Sequence, residues 1–571
     1  MFIKKGTTVM KTPSLRSFLC VGLLLALAAS PVLNAADESL QTVAEKSEFK
    51  ATSTYKDVMQ FIQSLQKQTD RLQMEILCVS TEGRKVPLLI IGNPPPASPA
   101  ELRNDKRAVI YIQANIHAGE VEGKEASLML IRDILSQEKP PYLDNLILLV
   151  APVFNADGNE KISPKNRTNQ VGPELGVGIR YNGQNLDLNR DAMKQESPEL
   201  IGLVQNVLNR WDPALLIDCH TTNGSYHIEP VTYVGALNPN GDAALISYVR
   251  DTLLPSVQTT MKDKYDTLGV PYGNFMDYRN PEKGWSPAGP EPRYITNYIG
   301  LRNRMAILNE NYSYADYKTR VLGCYHFLKS VLDFCSAHAG EMRDLISAAD
   351  RKTIQTGINP TEKDLWGLEY DVRPLKEPIT LIGYEMEIEE VEGRRFPRVK
   401  KTDRIKTYNL PFYADYFAKK TIRRPYGYFL AVRDEAIIHK LLQHGIVVEQ
   451  LLEPVKLEVE TFAVKELKAN PRLFQGHYMN SVTGEYAVKT MEFPAGTFFV
   501  GTGQPMGLVA SYLLEAESDD GLVVWNYFDK YLAAQWGREQ LVYPVYRLLT
   551  PTPLVKVKLG SGLPISSFWS R

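Results

Sequence analysis

The chain has 571 residues, which is too long for one compact hydrophobic core and predicts two or three domains. Its hydrophobic content of 44% and charged content of 23% are those of an ordinary globular protein. The formal net charge is −1, which excludes the strongly basic balance of many nucleic-acid-binding proteins.

The first 35 residues have the pattern of a signal peptide. Four basic residues precede the apolar stretch FLCVGLLLALAA, and small residues near Ala35 offer a cleavage site. This stretch is short for a membrane span, and no later apolar run reaches about twenty residues. We therefore predict no span after cleavage, with an uncleaved anchor as the alternative. Cleavage would leave 61 basic and 66 acidic residues.

The cysteine pattern favours a periplasmic or secreted bacterial protein that does not depend on disulfides. Three Asn-x-Ser/Thr sequons lie beside candidate site residues, where a glycan would obstruct a cleft, and this disfavours a eukaryotic secretory route. The cysteines after the signal show no CxxC spacing and are predicted to be reduced and mostly buried, with one disulfide as the alternative. They are Cys78, Cys219, Cys324 and Cys335.

Residues 50–350 predict an α/β domain. An amphipathic helix pattern, KDVMQFIQSLQKQ, precedes two strand-length runs, QMEILCVS and VPLLIIG. Four further runs, AVIYIQ, LILLVAPV, PALLIDC and RMAIL, are almost wholly apolar, which is typical of strands buried on both faces. Because these runs alternate with helical patterns, we predict a mixed, largely parallel sheet flanked by helices on both faces.

The sequence changes character after this unit. A helical stretch runs to about residue 350, and residues 355–362 are predicted to be a linker. Residues 360–571 are predicted to form a β-rich accessory domain of unassigned role, with one strand–helix–strand element. The basic run RRFPRVKKTDRIK could bind an anion, but a solvated face opposite the preceding glutamates is the simpler interpretation.

Four of the apolar runs end in residues that can bind a metal or move a proton. In an open α/β sheet, ligands bind beyond the carboxyl ends of the strands, so these residues are predicted to meet at one edge. They are His117 and Glu120 after the first run, Asn155, Asp157 and Gly158 after the second, Asp218 and His220 after the third, and Asn309 and Glu310 after the fourth.

Two histidines and a glutamate with an open fourth position are typical of a catalytic zinc site. His117 and Glu120 stand three residues apart in a turn, and His220 arrives from a separate strand. Asp187 could hold a ligand histidine in one tautomer. The alternative is two structural histidines, which the neighbouring carboxylates make the weaker interpretation. The second HAGE tetrapeptide, at 338–341, follows no strand and is predicted to lie on the surface.

The order of five elements carries a family resemblance. His-x-x-Glu is followed by NADG, by DLNR, by a histidine at a strand end and by a glutamate after a late strand. This order resembles the zinc metallocarboxypeptidases of the carboxypeptidase A and B type, and an early STEGRKVP segment resembles a turn of that family. The likeness runs from about residue 52 to 321, roughly half of the chain.

The resemblance implies one zinc ion per chain, held by His117, Glu120 and His220. It also implies that Glu310 is the general base, which takes a proton from water and passes it to the leaving amine. Zinc lowers the pKa of its bound water to about 7, so such chemistry operates at neutral pH. The expected fold is the α/β carboxypeptidase fold.

The resemblance further implies that Asn189 and Arg190 bind the terminal carboxylate of a peptide, a role that suits a planar guanidinium. An arginine should also stabilise the developing oxyanion. The sequence departs from the family here, because Pro164 stands where that arginine is usual and Arg167 is the nearest substitute.

For several other predicted cleft residues, the sequence allows two different roles. The mobile tyrosine of the family has two candidates, Tyr294 and Tyr298, each of which could instead serve packing. Arg293, Arg302 and Arg304 could add positive charge to the cleft, or they could form salt bridges at the surface.

Three functions are consistent with these residues. The leading hypothesis is an exported zinc metallocarboxypeptidase acting on peptides with a free C-terminal carboxylate. The second keeps the metal but changes the substrate, to give an amidase of cell-wall peptides or a deacylase of N-acyl amino acids. The third is a non-catalytic binding protein, which the complete set of ligands and base disfavours.

Overall fold

A computed structural model describes residues 40–393, 397–533 and 541–560. The predicted signal peptide, residues 1–35, lies outside these ranges, as do residues 394–396 of the basic run. Among the described helices, none combines the length and the apolar character that a membrane crossing requires.

The first part of the chain forms a mixed sheet with, among the described residues, eight strands in the order β1-β2-β4-β3-β5-β10-β6-β7. The four central strands, β4, β3, β5 and β10, run parallel to one another, and β1 and β2 form an antiparallel hairpin beside them. β8 and β9 form a separate two-residue ladder. The predicted α/β fold with a largely parallel central sheet is confirmed. The strands are β1 Leu72–Val79, β2 Lys85–Ile91, β3 Ala108–Ala114, β4 Leu146–Ala151, β5 Leu215–Thr222, β6 Val231–Gly235, β7 Gly269–Pro271, β8 Asn274–Phe275, β9 Trp285–Ser286 and β10 Met305–Tyr312.

Helices cover the sheet. α3 packs directly on β5, where a Cβ atom at Gly123 would lie 2.4 Å from the Cβ atom of Cys219, so only glycine permits this approach. The helix α10 continues four residues beyond the start of the predicted linker, so residues 355–358 are helical. The helices are α1 Val43–Lys46, α2 Tyr55–Gln66, α3 Glu122–Leu135, α4 Ala156–Asn159, α5 Pro198–Gly202, α6 Asn209–Trp211, α7 Ala243–Tyr248, α8 Leu254–Tyr265, α9 Ile295–Leu301 and α10 Tyr317–Ile358, with π-helical turns joining α5 to α6 and α7 to α8.

The C-terminal region, residues 365–560, is rich in antiparallel strands, as predicted. In its described part, one sheet has seven strands in the order β18-β17-β20-β15-β19-β16-β21, and two further sheets are the pairs β11–β14 and β12–β13. The elements are β11 Leu365–Arg373, β12 Ile379–Glu389, β13 Arg398–Leu410, β14 Asp415–Arg423, β15 Gly427–Leu430, α11 Glu435–Gln443, β16 Glu449–Leu451, β17 Val455–Ala469, β18 Asn480–Phe493, β19 Phe498–Gly501, α12 Gly507–Leu514, α13 Asp529–Leu532, β20 Leu541–Leu548 and β21 Lys556–Lys558.

The two parts of the chain share buried surface. One continuous hydrophobic core contains residues of the central sheet, such as Ile217, and residues of the C-terminal region, such as Ile438 and Leu513. The described basic residues of β13 face the glutamates of β12, with Glu389 paired to Lys400 at 3.5 Å. This pairing agrees with the prediction of a solvated face for the basic run.

Candidate active site

The four parallel strands place the predicted residues at one edge of the sheet. His117 and Glu120 follow β3 in a tight turn, and His220 lies near the end of the adjacent β5. Glu310 on β10 lies directly opposite His220 in the parallel register. Because alternate residues of a strand face the same side, Leu308 and Glu310 both face the cavity that forms here.

His117, Glu120 and His220 form a buried cluster, and one ligand atom from each lies within 4.8 Å of the others. Glu120 Oε1 is 3.1 Å from His117 Nδ1, and Glu120 Oε2 is 2.9 Å from His220 Nδ1. The two Nδ1 atoms are 3.2 Å apart. This is the donor set, two imidazole nitrogens and a carboxylate, that zinc prefers in catalytic sites.

The far side of each imidazole is held by an aspartate. His117 Nε2 is 2.9 Å from Asp187 Oδ1, as predicted, and His220 Nε2 is 2.7 Å from Asp218 Oδ2. When each Nε2 atom donates its proton to a carboxylate, both Nδ1 atoms carry lone pairs that face each other. Two lone pairs at 3.2 Å repel unless a cation lies between them, so these residues fit a bound metal ion.

Without a bound metal ion, the electrostatics of the cluster favour the charged forms, in which a proton takes the place of the metal at Nδ1 of His220. Burial alone would raise the pKa of the Glu120 carboxyl, but the charges of His117 and Arg167 hold that pKa well below its usual range. Burial would likewise lower the pKa of His220, but Asp218 and Glu120 raise it well above the ordinary value.

Arg167 lies over the turn of the cluster. A Cβ atom at Gly119 would lie 2.5 Å from Arg167 Cδ, so the glycine leaves room for this side chain. All three nitrogens of the guanidinium are engaged. Nη1 donates to Glu120 Oε1 at 2.9 Å, Nη2 donates to the carbonyl of Thr221, and Nε donates to Gln170. Arg167 therefore supports the ligand Glu120.

Arg180 also lies in the cavity, although the sequence analysis did not single it out. Its Nε donates to Asp187 Oδ2 at 2.8 Å, and its Nη1 lies 3.2 Å from His117 Nδ1 and 3.6 Å from Glu120. Within the described ranges, no residue accepts a hydrogen bond from its Nη2. This guanidinium has a free donor beside the cluster.

The cavity beside the cluster has a volume of about 340 Å³. Arg190 lines it and stacks on the ring of Tyr294, with Cζ 4.4 Å from the ring centroid. Among the described residues, no carboxylate lies within 4 Å of the Arg190 guanidinium, because Asp187 pairs with Arg180 and Asp191 pairs with Lys194. Neither of the two aspartates nearest to it in the sequence, Asp187 and Asp191, therefore forms an ion pair with Arg190.

Asn189 precedes Arg190 and lies between the cluster and the cavity wall. Its Oδ1 accepts a hydrogen bond from the backbone N–H of Ile295 at 3.0 Å, which fixes the amide. Its Nδ2 therefore points toward His220 Nε2, 3.5 Å away, and remains a donor for a ligand in the cavity.

Glu310 is half-buried in the cavity wall. No described residue donates a hydrogen bond to its carboxylate. Burial raises the pKa of this carboxyl to about 8, and the Glu120 charge adds to the rise while His220 opposes it. Tyr272, a second residue that the sequence analysis did not identify, lines the same cavity, and its burial raises the pKa of its hydroxyl.

Some strand-end residues do not reach the site. Asp157 was predicted at this edge, but it accepts from Ser80 and pairs with Arg84 at 2.8 Å. Asn155 binds backbone carbonyls, including that of Ile116, and caps α4. Asn309 points away from the cavity because it alternates with Glu310. These three residues stabilise loops and strands.

The other candidates also have structural partners. Tyr298 is buried and contacts His444, whereas Tyr294 lines the cavity. The second HAGE pair, His338 and Glu341, is exposed on α10, as predicted. All four described cysteines are free, and three are buried. The three further arginines lie outside the cavity, with Arg293 paired to Asp520, Arg302 bonded to Asn209 and Arg304 paired to Asp212 and Asp350.

Comparisons with known proteins show what this chain is similar to. Residues 58–227 match the zinc carboxypeptidase family. Carboxypeptidase 2 of Trichophyton rubrum is 21% identical over 494 residues, which cover 82% of this chain and 81% of that protein. Carboxypeptidase D of Homo sapiens is 27% identical over 171 residues, 29% of this chain and 12% of that protein. The structure of carboxypeptidase A from Helicoverpa armigera covers 54% of this chain and 79% of its own, with 15% identity and a TM-score of 0.39.

Proposed function

We propose that this chain, whose residues 58–227 match the zinc carboxypeptidase family, is an exported enzyme that removes residues from the free carboxyl end of peptides. The observation that carries the proposal is Arg190, which pairs with no carboxylate of the described residues and lies in the same cavity as the metal cluster and Glu310. A fixed cation of this kind suits a ligand that ends in a carboxylate.

One zinc ion would be held by Nδ1 of His117, Nδ1 of His220 and the carboxylate of Glu120. When bound there, zinc supplies Lewis-acid polarisation of a substrate carbonyl and a water of lowered pKa. Asp187 and Asp218 keep the two imidazoles in the tautomer that leaves Nδ1 free for the metal.

Arg190 would bind the terminal carboxylate, with the Asn189 amide as a second donor. Its stacking on Tyr294 and its Nη1 hydrogen bond to the Asn189 carbonyl at 2.8 Å fix the guanidinium before substrate arrives. A fixed donor loses less conformational entropy on binding than a mobile one. The arrangement thus favours peptides with a free C-terminus over amidated ones.

Glu310 would act as the general base. Its carboxylate accepts no hydrogen bond from the described residues and faces the cavity from the strand next to that of His220. It would take a proton from the attacking water and give it to the nitrogen of the departing residue, so that the C–N bond breaks with a neutral amine.

The oxyanion that develops on the scissile carbonyl needs a donor, and we assign this role to Arg180. Its Nη2 is free and its position beside His117 is fixed by Asp187. Arg167 was the residue predicted for this role, but each of its three guanidinium nitrogens already donates one hydrogen bond, to Gln170, Glu120 and Thr221. Preorganised donors of this kind are worth about 10²–10³-fold in rate.

The test is mass spectrometry of a peptide library incubated with zinc-loaded protein, each peptide present with a free and an amidated C-terminus. We expect stepwise shortening of the free forms only. Glu310→Gln should keep zinc and lose about 10²–10⁴-fold in rate. If zinc-loaded protein shortens neither form, peptidase action is excluded, and N-acyl amino acids and cell-wall peptides become the substrates to assay.

A further inference from the structure

The segment that carries Arg190, residues 187–197, has no regular structure beyond one short turn, Leu188–Arg190, before α5 begins. Most of its hydrogen bonds to distant parts of the chain come from the C-terminal region. They reach the segment on both sides of Arg190.

On the N-terminal side, Gln475 Oε1 accepts the backbone N–H of Asp187 at 2.8 Å. Gln475 lies at the tip of a tight turn in which Phe474 and His477 exchange two backbone hydrogen bonds. Gln475 and Gly476 have φ angles of 51° and 83°, the left-handed pair of a type I′ turn. The turn therefore aims the Gln475 side chain in a fixed direction.

On the C-terminal side, the end of α11 holds the backbone of the segment. Lys440 Nζ and Gln443 Nε2 both donate to the carbonyl of Gln195, at 2.8 and 3.0 Å. His444 Nε2 lies 3.0 Å from the carbonyl of Met193. Gln195 has a φ angle of 44°, a strained conformation for a residue with a side chain, and these contacts hold it there.

The acidic side chains that follow Arg190 in the segment pair with other residues and not with Arg190. Glu196 accepts from His477 Nε2 at 2.9 Å and from Lys194, so the C-terminal region supplies one of its two partners. Asp191 is fully buried and paired with Lys194 at 2.6 Å. The positive charge of Arg190 is therefore left for a ligand.

The neighbouring wall of the cavity is held in the same way. Asp520 of the C-terminal region accepts from the backbone N–H of Arg293 at 2.8 Å and forms a salt bridge to its guanidinium. Tyr294, the next residue, is the ring on which Arg190 stacks. Both surfaces around Arg190 thus depend on residues 435–526.

From these contacts, we propose that the C-terminal region positions the carboxylate-binding site, with Gln475 as the positioning residue that acts through Asp187 and the Arg190 segment. The proposal rests on the function proposed above and assigns a role to the region that the sequence left without one. It places this role in substrate binding and not in the proton transfers at Glu310.

The test uses the full-length mature chain, zinc-loaded, in the non-hydrolysing Glu310→Gln background. Calorimetry measures the Kd of one peptide with a free C-terminus and of the same peptide amidated. Gln475→Met removes the acceptor at similar size. Gln450→Met is the matched control, because Gln450 bonds the carbonyl of Gly496 in the C-terminal sheet, away from the segment.

We expect Gln475→Met to raise the Kd of the peptide with a free C-terminus about three- to tenfold, the range for one lost hydrogen bond. The Kd of the amidated peptide should not change. Gln450→Met should change neither. In the active enzyme, KM should rise by the same factor with kcat retained. The proposal would be overturned if Gln475→Met left the ratio of the two Kd values unchanged, whether both affinities stayed the same or both fell equally.

The outcomes separate this proposal from the proposed reaction. If the active enzyme shortens peptides but Gln475→Met leaves the ratio of the Kd values for amidated and free peptide unchanged, only the positioning role is wrong. If no peptide is shortened but the free form binds more tightly and Gln475→Met removes that preference, only the reaction is wrong. If the parent protein binds both forms equally, both are wrong.

Discussion

The metal cluster and the Arg190 side of the cavity differ in how far along the chain the residues that hold them lie. His220 is oriented by Asp218, two residues away on the same strand. The segment around Arg190 is held by Lys440 and Gln475, which lie 245 and 288 residues from the groups that they bind. His220 is held within the sheet itself, whereas the Arg190 segment is held by residues of the C-terminal region.

This difference has an energetic meaning. The metal side lies at the ends of hydrogen-bonded strands over a buried core, and displacing His220 requires moving the strand β5. The Arg190 side depends on single hydrogen bonds, each worth about 0.5–1.5 kcal/mol net. We therefore expect substitutions on the metal side to have large effects and those in the supporting contacts of Arg190 to have graded ones.

The largest effect is expected for His220→Ala, which removes one of three ligands. Zinc content, measured by mass spectrometry of the metal after dialysis, should fall from about one ion per chain to almost none, because a two-ligand site binds zinc weakly. His338→Ala is the control, since His338 is exposed on α10 and should leave the zinc content unchanged. Full zinc content in His220→Ala would remove His220 from the site.

Arg190→Met should come next, with a fall of about a hundredfold in kcat/KM for free peptides. The cause is the loss of the cation that pairs with the substrate carboxylate, an interaction of several kcal/mol in a half-buried site. Steady-state kinetics should show the change mainly in KM. An unchanged KM would mean that the carboxylate binds elsewhere in the cavity.

Asp218→Asn should weaken zinc binding by about 10–100-fold without abolishing it, because the imidazole of His220 loses its charged acceptor and its fixed tautomer. Competition with a chelator of known affinity measures the change. Asp157→Asn is the matched control, since Asp157 lies at the same edge but pairs with Arg84. Equal losses in both variants would point to general damage at the sheet edge.

The smallest effect concerns the His477–Glu196 pair, which His477→Gln removes. The hydrogen bond to Glu196 raises the pKa of His477 above its ordinary 6.5, although burial opposes the rise, and the same contact helps to hold the pKa of Glu196 at about 2. Because folded His477 binds its proton more tightly than the unfolded chain does, its protonation stabilises the fold. This stabilisation is complete below pH 6.5 and is lost as the pH rises through the raised pKa.

The wild-type protein should therefore exceed His477→Gln by about 1 kcal/mol in the free energy of unfolding at pH 6, and by less at pH 9. Two other charged groups lie near His477: Lys194, which lowers the pKa of His477, and Asp529, whose own pKa the His477 charge lowers against the larger effect of burial. Asn526 accepts a hydrogen bond from Nδ1. Denaturant unfolding at the two pH values measures the difference. A gap that stays constant with pH would show that His477 contributes only by packing.

Sequence reasoning recovered the metal side because strand patterns carry positional information. A buried run predicts a strand, the parallel order predicts a common edge, and the polar residues at that edge are His117, Glu120, His220 and Glu310. Asp157 shows the limit of the rule, since it shares the edge but turns toward Arg84.

The residues that sequence reasoning missed lie in loops. Arg180 stands seven residues before Asp187 in GIRYNGQNLD, and only the folded loop brings its guanidinium back to that carboxylate. Tyr272 follows a three-residue strand that has no recognisable pattern. The contact of Gln475 with Asp187 joins residues with no local signal on either side, so it depended on the tertiary structure.

The long sequence separation between Arg190 and its supports has a consequence for synthesis. The last of the central strands, β10, ends at Tyr312, which leaves the ribosome 163 residues before Gln475. At about 5–20 residues per second, this is a delay of roughly 8 to 33 s. During that interval the Arg190 segment lacks the hydrogen bonds that Lys440 and Gln475 supply in the complete chain. Completion of the chain would thus switch on recognition of its substrates, a form of temporal control that requires no removable inhibitory segment.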